Sequence, residues 1–199
     1  MKNTKSVPTQ QAIQPAEYAV LLARLLAEQD WKPVEKLTGL MRDAWRSGRS
    51  VFVCGNGGSA ANAIHWANDF VYPVAKHHSR GLRISALTAN TAILTCLAND
   101  IGYDNVFAYQ LRVVASPDDL LIVLSGSGNS VNVLNAVRAA RDLGMKTAAV
   151  LGFNGGACLG MVDVAVHFKI DDMQIAEDAQ LIVNHMVMRA LCAEDPDVE

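Results

Sequence analysis

Residues 51–60, VFVCGNGGSA, carry an apolar run into a glycine turn and then into the start of a helical pattern. An apolar run of this length is typical of a buried strand. The glycines allow backbone N–H groups to approach an anion closely, and the N-terminus of the following helix adds a favourable dipole. The stretch therefore predicts a strand–turn–helix unit with a candidate anion site at its turn.

Two other interpretations of this turn stay open. A dinucleotide site needs Gly-x-Gly-x-x-Gly and an acidic residue after the next strand. Here the glycines are Gly55, Gly57 and Gly58, and the next predicted strand ends without an acid at residues 88–90. This spacing disfavours dinucleotide binding, whereas a tight strand-to-helix connection without any ligand remains an alternative.

A second unit of the same design occupies residues 120–130, LLIVLSGSGNS. Three serines and two glycines at a helix start can surround a phosphate with hydroxyl and backbone donors. Because the Gly-Lys-Ser/Thr of a P-loop is missing, the loop favours a sugar phosphate over a nucleoside triphosphate. The alternative is that Ser and Asn serve here only as helix caps.

The rest of the chain repeats the alternation of strands and helices. Apolar runs predict strands at 51–54, 82–87, 120–124, 147–151 and 162–168. Helical patterns lie near 59–70, 90–113, 130–143, 155–160 and 173–192, with two further helices in an N-terminal arm over 15–48. The alternation predicts one α/β domain over 15–195, with a parallel sheet covered by helices on both faces, behind a flexible leader at 1–14.

Composition and charge exclude several classes of protein. The hydrophobic fraction of 51% and the charged fraction of 19% exclude disorder. The net charge of −3 has the wrong sign for a protein that grips nucleic-acid phosphates. No apolar run approaches the ~18 residues of a membrane span, and the N-terminus lacks the apolar core of a signal peptide. With four cysteines at unpaired spacings, we expect a cytoplasmic protein without nucleic-acid or membrane partners.

Four side chains on two predicted helices carry the candidate chemistry. His65 and Asp69 lie four residues apart, so they share one helix face. Glu177 and His185 lie a little over two turns apart on the last helix. Two imidazoles and two carboxylates can form a four-ligand site for a divalent metal such as zinc. Alternatively, His65 is an ordinary packed histidine beside Trp66.

Several motifs in the right order resemble the SIS (sugar isomerase) domain family, and within it the phosphoheptose isomerases. Residues 55–65, GNGGSAANAIH, and 125–130, SGSGNS, are similar to its two signatures. The likeness includes 97–103 and 143–147 and extends from about residue 35 to 192. It implies a five-stranded, flavodoxin-like three-layer sandwich that isomerises sedoheptulose 7-phosphate to D-glycero-D-manno-heptose 7-phosphate for nucleotide-heptose biosynthesis.

The resemblance also implies partners and residue roles. It implies zinc bound by His65, Asp69, Glu177 and His185, with Asp69 and His185 transferring protons. The substrate would contact Asn56, Gly57, Ser59, Asn90, Ser125, Gly126, Ser127, Ser130 and Glu177. It further implies a homotetramer with active sites shared between subunits. The apolar load of the N-terminal helices, at Tyr18, Leu22, Leu26, Trp31 and Trp45, independently predicts that they lie at the centre of that tetramer.

The chain departs from the family pattern at three of these positions. Asp69 replaces Glu, Asn90 replaces Asp, and Glu177 replaces Gln, unless a one-residue shift makes Asp178 the equivalent. These changes surround the sugar rather than the phosphate, so isomerisation of another sugar phosphate is the leading alternative. A non-catalytic SIS protein that binds sugar phosphates or a protein partner is the other, but such a binder is expected to lose His65 and His185.

Overall fold

The computed structural model describes residues 13–78 and 80–194, so the predicted leader lies outside it except for Ile13 and Gln14. Five parallel strands form one sheet in the order β2-β1-β3-β4-β5. The strands are β1 (Ser50–Gly55), β2 (Arg83–Ala86), β3 (Leu120–Ser125), β4 (Lys146–Leu151) and β5 (Val164–His167). This confirms the prediction of a flavodoxin-like parallel sheet.

Eight α-helices accompany the sheet in the described part of the chain. They are α1 (Pro15–Glu28), α2 (Lys32–Arg46), α3 (Gly58–Val71), α4 (Pro73–His78), α5 (Thr91–Asp100), α6 (Val106–Val114), α7 (Val131–Asp142) and α8 (Met173–Cys192). The predicted helix at 90–113 is wrong as a single helix: Gly102, with φ of 87°, separates α5 from a 3₁₀ turn and α6. The pattern at 155–160 forms only a 3₁₀ turn at Ala157–Gly160, preceded by two glycines with positive φ.

The helices cover both faces of the sheet, which makes the three-layer sandwich that the resemblance implies. On one face α2, α3 and α8 bury a core that includes Met41, Trp66 and Phe70. On the other face α6 and α7 bury a second core, and α5 packs at its margin. None of the helices in the described ranges is both long and apolar enough to cross a membrane.

The two helices of the N-terminal arm differ in what they bury. Helix α2 belongs to the core, and Trp45 is 2% exposed with its Nε1 donating to the Arg80 carbonyl at 3.0 Å. Trp31 packs edge-on against Phe168, with ring centroids 6.1 Å apart. This chain's own core thus buries Trp45 and part of Trp31, and the predicted place of the N-terminal helices at the centre of a tetramer stays a prediction. Helix α1 has no buried residue.

The chain reverses its direction of winding between β1 and β3. These strands are neighbours, yet α3 follows β1 onto one face and α7 follows β3 onto the other. Such a divergence opens a crevice at the carboxyl ends of the two strands, where ligands of doubly wound folds bind. Both α3 and α7 begin at this crevice, so their N-terminal dipoles favour an anion there.

Candidate active site

Three of the four predicted metal ligands come together where α3 packs beside α8. His65 Nε2 lies 3.2 Å from His185 Nε2 and 3.2 Å from Asp69 Oδ2, and His185 Nε2 lies 3.6 Å from the same oxygen. All three donor atoms thus fall within the reach of one metal ion. We call this group the His–Asp cluster. The i,i+4 spacing on α3 supplies two of its members, and the packing of α8 supplies the third.

The cluster combines one buried carboxyl group with two accessible imidazoles. Asp69 is 6% exposed, while the side chains of His65 and His185 are 43% and 50% exposed. The interpretation of His65 as a packed core histidine is therefore wrong. Of the two neighbours, only Trp66 is buried in the core. A ligand from solvent can reach both imidazoles while the protein holds the carboxylate from behind.

A residue that the sequence motifs did not single out holds Asp69 in place. Asn184 on α8 donates from Nδ2 to Asp69 Oδ2 at 2.6 Å, and both side chains are buried. On the exposed side, Asn68 Nδ2 donates to Asp69 Oδ1 at 3.2 Å. The only sequence signal for Asn184 is a polar residue at a buried position of α8, directly before His185.

Glu177 is not a member of the His–Asp cluster, so its predicted role as a metal ligand stays a prediction. Its carboxylate covers the first turn of α3, where a Cβ on Gly58 would collide with it. The Ser59 backbone N–H donates to the same carboxylate. The cause is the parallel course of the two helices: residues two turns before His185 on α8 lie near the start of α3.

Burial has a measurable consequence at Glu177. It raises the pKa of this carboxyl, the Ser59 N–H partly offsets the rise, and the negative charge of Asp178 adds to it. Asp178, the alternative to Glu177, faces another way. It accepts a hydrogen bond from the Tyr18 hydroxyl of α1 at 2.6 Å, and burial together with this carboxylate raises the pKa of the phenol.

The loop between β3 and α7 presents hydroxyl groups whose protons are unused within the described ranges. Ser125 Oγ accepts from the Gly128 N–H at 3.0 Å, and Ser127 Oγ accepts from the Asn129 N–H at 3.3 Å. A hydroxyl that accepts from N–H keeps its own proton for donation. Ser59, at the start of α3, has the same arrangement, because its buried Oγ accepts from Gln180 Nε2 at 3.0 Å.

Helix capping does not account for this loop. Ser130 is the N-cap residue of α7, yet its side chain makes no capping hydrogen bond. Gly126, predicted to touch substrate, is instead overlain by Met173 and the ring of Phe153, which a Cβ at this position would meet. The loop therefore offers the hydroxyls of Ser125, Ser127 and Ser130 rather than an open backbone at Gly126.

Side-chain hydrogen bonds connect the glycine turn after β1 to α7, on the other face of the sheet. Gly57, the N-cap of α3, has φ of 56° and ψ of −124°, a conformation that only glycine adopts without strain. Asn56 exchanges two hydrogen bonds of 2.8 Å with Asn132 and accepts a third from the Tyr103 hydroxyl at 2.9 Å. The Asn56 amide thus joins the two halves of the crevice, and its predicted contact with sugar hydroxyls stays a prediction.

Asn90, the remaining predicted contact, begins α5. Its Oδ1 accepts from the Ile93 N–H at 3.2 Å, which makes it the N-cap of that helix. It also lines a groove of about 470 Å³ between α5 and α6, together with apolar residues such as Val113. The Asn90 side-chain oxygen is thus already hydrogen-bonded to the helix backbone. The predicted contact of Asn90 with substrate stays a prediction.

Comparisons with known proteins agree with the fold and identify the family. Residues 16–152 match the family model of the SIS domain. The phosphoheptose isomerase of Aliarcobacter butzleri is 38% identical over 160 residues, which cover 80% of this chain and 84% of that protein. That of Chlorobaculum tepidum is 41% identical over 150 residues, covering 75% of this chain and 72% of the relative.

Solved structures give the same result. The phosphoheptose isomerase of Neisseria gonorrhoeae superposes with a TM-score of 0.83 at 29% identity, over 90% of this chain and 97% of that one. The enzyme of Francisella tularensis superposes with a TM-score of 0.85 at 27% identity, over 90% and 95%. Given this extent of similarity in sequence and structure, the chain belongs to the SIS domain family and, within it, to the phosphoheptose isomerases.

Proposed function

We propose that the chain interconverts sedoheptulose 7-phosphate and D-glycero-D-manno-heptose 7-phosphate, as an aldose–ketose isomerase that supplies nucleotide-heptose biosynthesis. The observation that carries the proposal is the order of groups along α3. The Ser59 hydroxyl lies on its first turn, and the His–Asp cluster follows on later turns. Curated relatives named phosphoheptose isomerase, which cover most of the chain, support the same reaction.

The spacing of the two sites suits a substrate whose charge and reacting atoms lie at opposite ends. Ser59 and His65 are six residues apart on α3, about 9 Å along the helix axis. Sedoheptulose 7-phosphate reacts at carbons 1 and 2 and carries its phosphate on carbon 7. A phosphate at the crevice would leave the reacting carbons near the His–Asp cluster.

Four hydroxyls are the phosphate ligands in this proposal. Ser125 is the last residue of β3, Ser127 follows in the loop, and Ser130 directly precedes α7. Ser59 lies in the first turn of α3, on the other side of the crevice. Hydroxyl and backbone donors combined with two helix N-termini neutralise a phosphate without a lysine. Their second function is to fix the position of the sugar, so that the same two carbons always face the catalytic groups.

Asp69 and His185 are the proposed proton-transfer groups. Isomerisation moves a proton between carbons 1 and 2 through an enediol and needs a base and an acid. One donor atom cannot hold Zn²⁺ and the moving proton together, so each group does one task at a time. In the proton-transfer step the Asp69 carboxylate, free of the metal, takes a proton from carbon 1 of the ketose, while the His185 imidazolium protonates the oxygen on carbon 2. The enediol then returns the proton of its carbon-1 hydroxyl to His185 and receives one at carbon 2 from Asp69, which yields the aldose.

Zinc is the metal ion that we assign to the His–Asp cluster. Bonds of 2.0–2.2 Å from Zn²⁺ to nitrogen and oxygen place tetrahedral ligand atoms about 3.4 Å apart. The three observed separations are 3.2, 3.2 and 3.6 Å, which supports this choice. Two imidazoles and a carboxylate with an open fourth position are typical of catalytic zinc. When bound, the ion polarises the carbonyl oxygen and the neighbouring hydroxyl.

The proposal includes a homotetramer with shared active sites. Helix α1 buries no residue within its own chain, and Val20 on it is 68% exposed. Uncovered apolar surface of this kind is typical of protein interfaces. Because His65 and His185 also face solvent, a neighbouring chain has room to add groups to the same site.

A cytoplasmic location forms part of the same proposal. All four cysteines are free thiols, and burial raises the pKa of Cys158 to about 11, so that this thiol stays protonated and unreactive. Unpaired cysteines support a reducing compartment, where disulfides are rare.

An isomerase assay on sedoheptulose 7-phosphate tests the function directly, using protein loaded with Zn²⁺ and His185→Ala as the inactive control. We expect product from the unmodified chain only. Turnover of a different ketose phosphate, with none of sedoheptulose 7-phosphate, would instead make the chain an isomerase of that other sugar. Binding of sugar phosphates without turnover of any would make it a non-catalytic SIS protein.

A further inference from the structure

We infer that Asn184 is a positioning residue, which holds the Asp69 carboxylate so that Oδ2 faces the imidazoles of His65 and His185. This inference rests on the proposed function of the His–Asp cluster. Asn184 touches neither the metal position nor the reacting carbons directly. Its effect passes through the hydrogen bond of 2.6 Å from Nδ2 to Asp69 Oδ2.

The surroundings of Asn184 indicate that its structural role is the hydrogen bond to Asp69. The side chain is 0% exposed and lies between the apolar layers of α3 and α8. Within residues 13–78 and 80–194, its Nδ2 donates to Asp69, and its Oδ1 has no hydrogen-bond partner. An unpaired buried oxygen lowers stability, whereas the nitrogen supplies a donor to the buried Asp69 carboxylate. Retention of the amide is explained by what its nitrogen does.

The orientation of the amide follows from the same contact. If the amide were turned over, its oxygen would face a carboxylate oxygen at 2.6 Å, and the two would repel each other. Facing an ionised carboxylate, only the nitrogen can make this approach, so the oxygen is assigned as the unpaired atom.

The bond also determines which way the carboxylate points. The terminal torsion of an aspartate side chain is soft, so its two oxygens exchange places easily unless something holds them. Each carboxylate oxygen has two lone-pair positions. Asn184 occupies one position of Oδ2 from the buried side and leaves the other toward the imidazoles. The Asn68 contact with Oδ1 is only partly buried and longer, at 3.2 Å, so it restrains the group less.

Replacement of Asn184 by Leu separates positioning from packing. Leu has a similar volume, but it takes the hydrogen-bond donor away from the buried Asp69 carboxylate, so the thermal midpoint of the metal-free variant should fall moderately. Its affinity for Zn²⁺ or Co²⁺, titrated without substrate, should fall about 10–100-fold, as is typical when an outer-shell partner is lost. The visible spectrum of bound Co²⁺ should change as well, because the carboxylate no longer keeps one geometry.

The matched control is Asn68→Ala, which removes an amide from the other oxygen of the same carboxylate. We expect its metal affinity and Co²⁺ spectrum to stay close to those of the unmodified chain. In the isomerase assay, Asn184→Leu should lower kcat and leave KM nearly unchanged, because the phosphate ligands are remote. Unaltered metal affinity, spectrum and kcat in Asn184→Leu would overturn the inference.

A measurement without metal keeps this inference separate from the zinc proposal. In the metal-free protein, the side-chain amide protons of Asn184 should give a nuclear magnetic resonance signal that is shifted and protected from exchange with water. Asp69→Ala should abolish the shift. If the unmodified chain binds no metal at the His–Asp cluster, the zinc proposal fails, and the positioning role of Asn184 is then tested by this amide signal. An amide signal that Asp69→Ala does not change would overturn the positioning role.

Discussion

Half of the His185 side chain faces solvent, although the helix that carries it is packed along the core. Truncation to Ala therefore removes a donor atom of the His–Asp cluster and little buried surface. Metal affinity in His185→Ala should fall by more than about 100-fold, beyond what the loss of an outer-shell partner costs. The thermal midpoint of the metal-free protein should hardly move.

Metal content per chain, measured on protein purified without chelator, checks this prediction. His77→Ala is the control, since His77 is an exposed histidine on α4 outside the His–Asp cluster. Equal metal content in His185→Ala and the unmodified chain would refute the assignment of His185 as a ligand.

Glu177 allows a prediction about pH at the same scale. Its pKa is raised in the folded state, chiefly by burial, so the folded chain binds more protons here than the unfolded chain does. This contribution to stability is full below the ordinary carboxyl pKa and is lost as pH rises through the raised value. Glu177→Gln, which keeps an acceptor for the Ser59 N–H, should therefore be the more stable form at pH 8.

Urea unfolding of the metal-free proteins at pH 4, 6 and 8 measures this difference. The gain in unfolding free energy of Glu177→Gln over the unmodified chain should be largest at pH 8 and shrink toward pH 4. Glu35→Gln, a change on the exposed surface of α2, should show no such trend. A gain that is the same at all three pH values would contradict burial as the cause.

At the scale of elements, the loop between β3 and α7 provides the densest set of free hydroxyl donors at the crevice. Each hydrogen bond to a charged group contributes about 1.5–3 kcal/mol, although such losses do not add fully. The double variant Ser125→Ala with Ser127→Ala should weaken binding of the phosphorylated sugar by about 2–3 kcal/mol, or roughly 30–150-fold.

Calorimetric titration with substrate in the presence of chelator isolates this loss from the metal. Ser116→Ala provides a control, because Ser116 is an exposed loop serine before β3, at the opposite end of that strand from the crevice. The unphosphorylated sugar should lose no affinity to the double variant. Unchanged affinity for the phosphorylated sugar would show that the phosphate binds elsewhere.

At the scale of the whole molecule, two exposed apolar surfaces of the described part of the chain are candidates for a subunit interface. One is α1, where Val20 is 68% exposed, and the other is the groove between α5 and α6, where Val113 is 69% exposed. In the proposed homotetramer, α1 lies at the centre. Val20→Asp should therefore reduce the particle to a folded single chain of 21.4 kDa, because a charge cannot be buried there without a partner.

Sedimentation at micromolar concentration, with circular dichroism as the check on folding, tests this assignment. Val113→Asp is the comparison, since it places the same charge on the other apolar surface. Dissociation by Val113→Asp but not by Val20→Asp would move the interface to the groove. A stable monomer in the unmodified chain would remove the tetramer from the proposal.

The architecture could be predicted from local patterns because each pattern reports on its own neighbourhood. Apolar runs of strand length alternate with helical periodicity, and the two glycine- and serine-rich turns follow strands β1 and β3. The i,i+4 spacing of His65 and Asp69 places both on one helix face wherever that helix lies. Errors arose where glycines with positive φ interrupt a helical pattern, as at Gly102.

Contacts between distant segments could be decided only by the tertiary packing. His185 reaches His65 across 120 positions of sequence because α8 runs beside α3, and the same course carries Glu177 away from the cluster to Gly58. The pairing of Asn184 with Asp69 has no local signature, since a hydrogen bond between two helices depends on their relative rotation and depth. Sequence spacing describes each helix face, but the packing of the two faces determines which side chains meet.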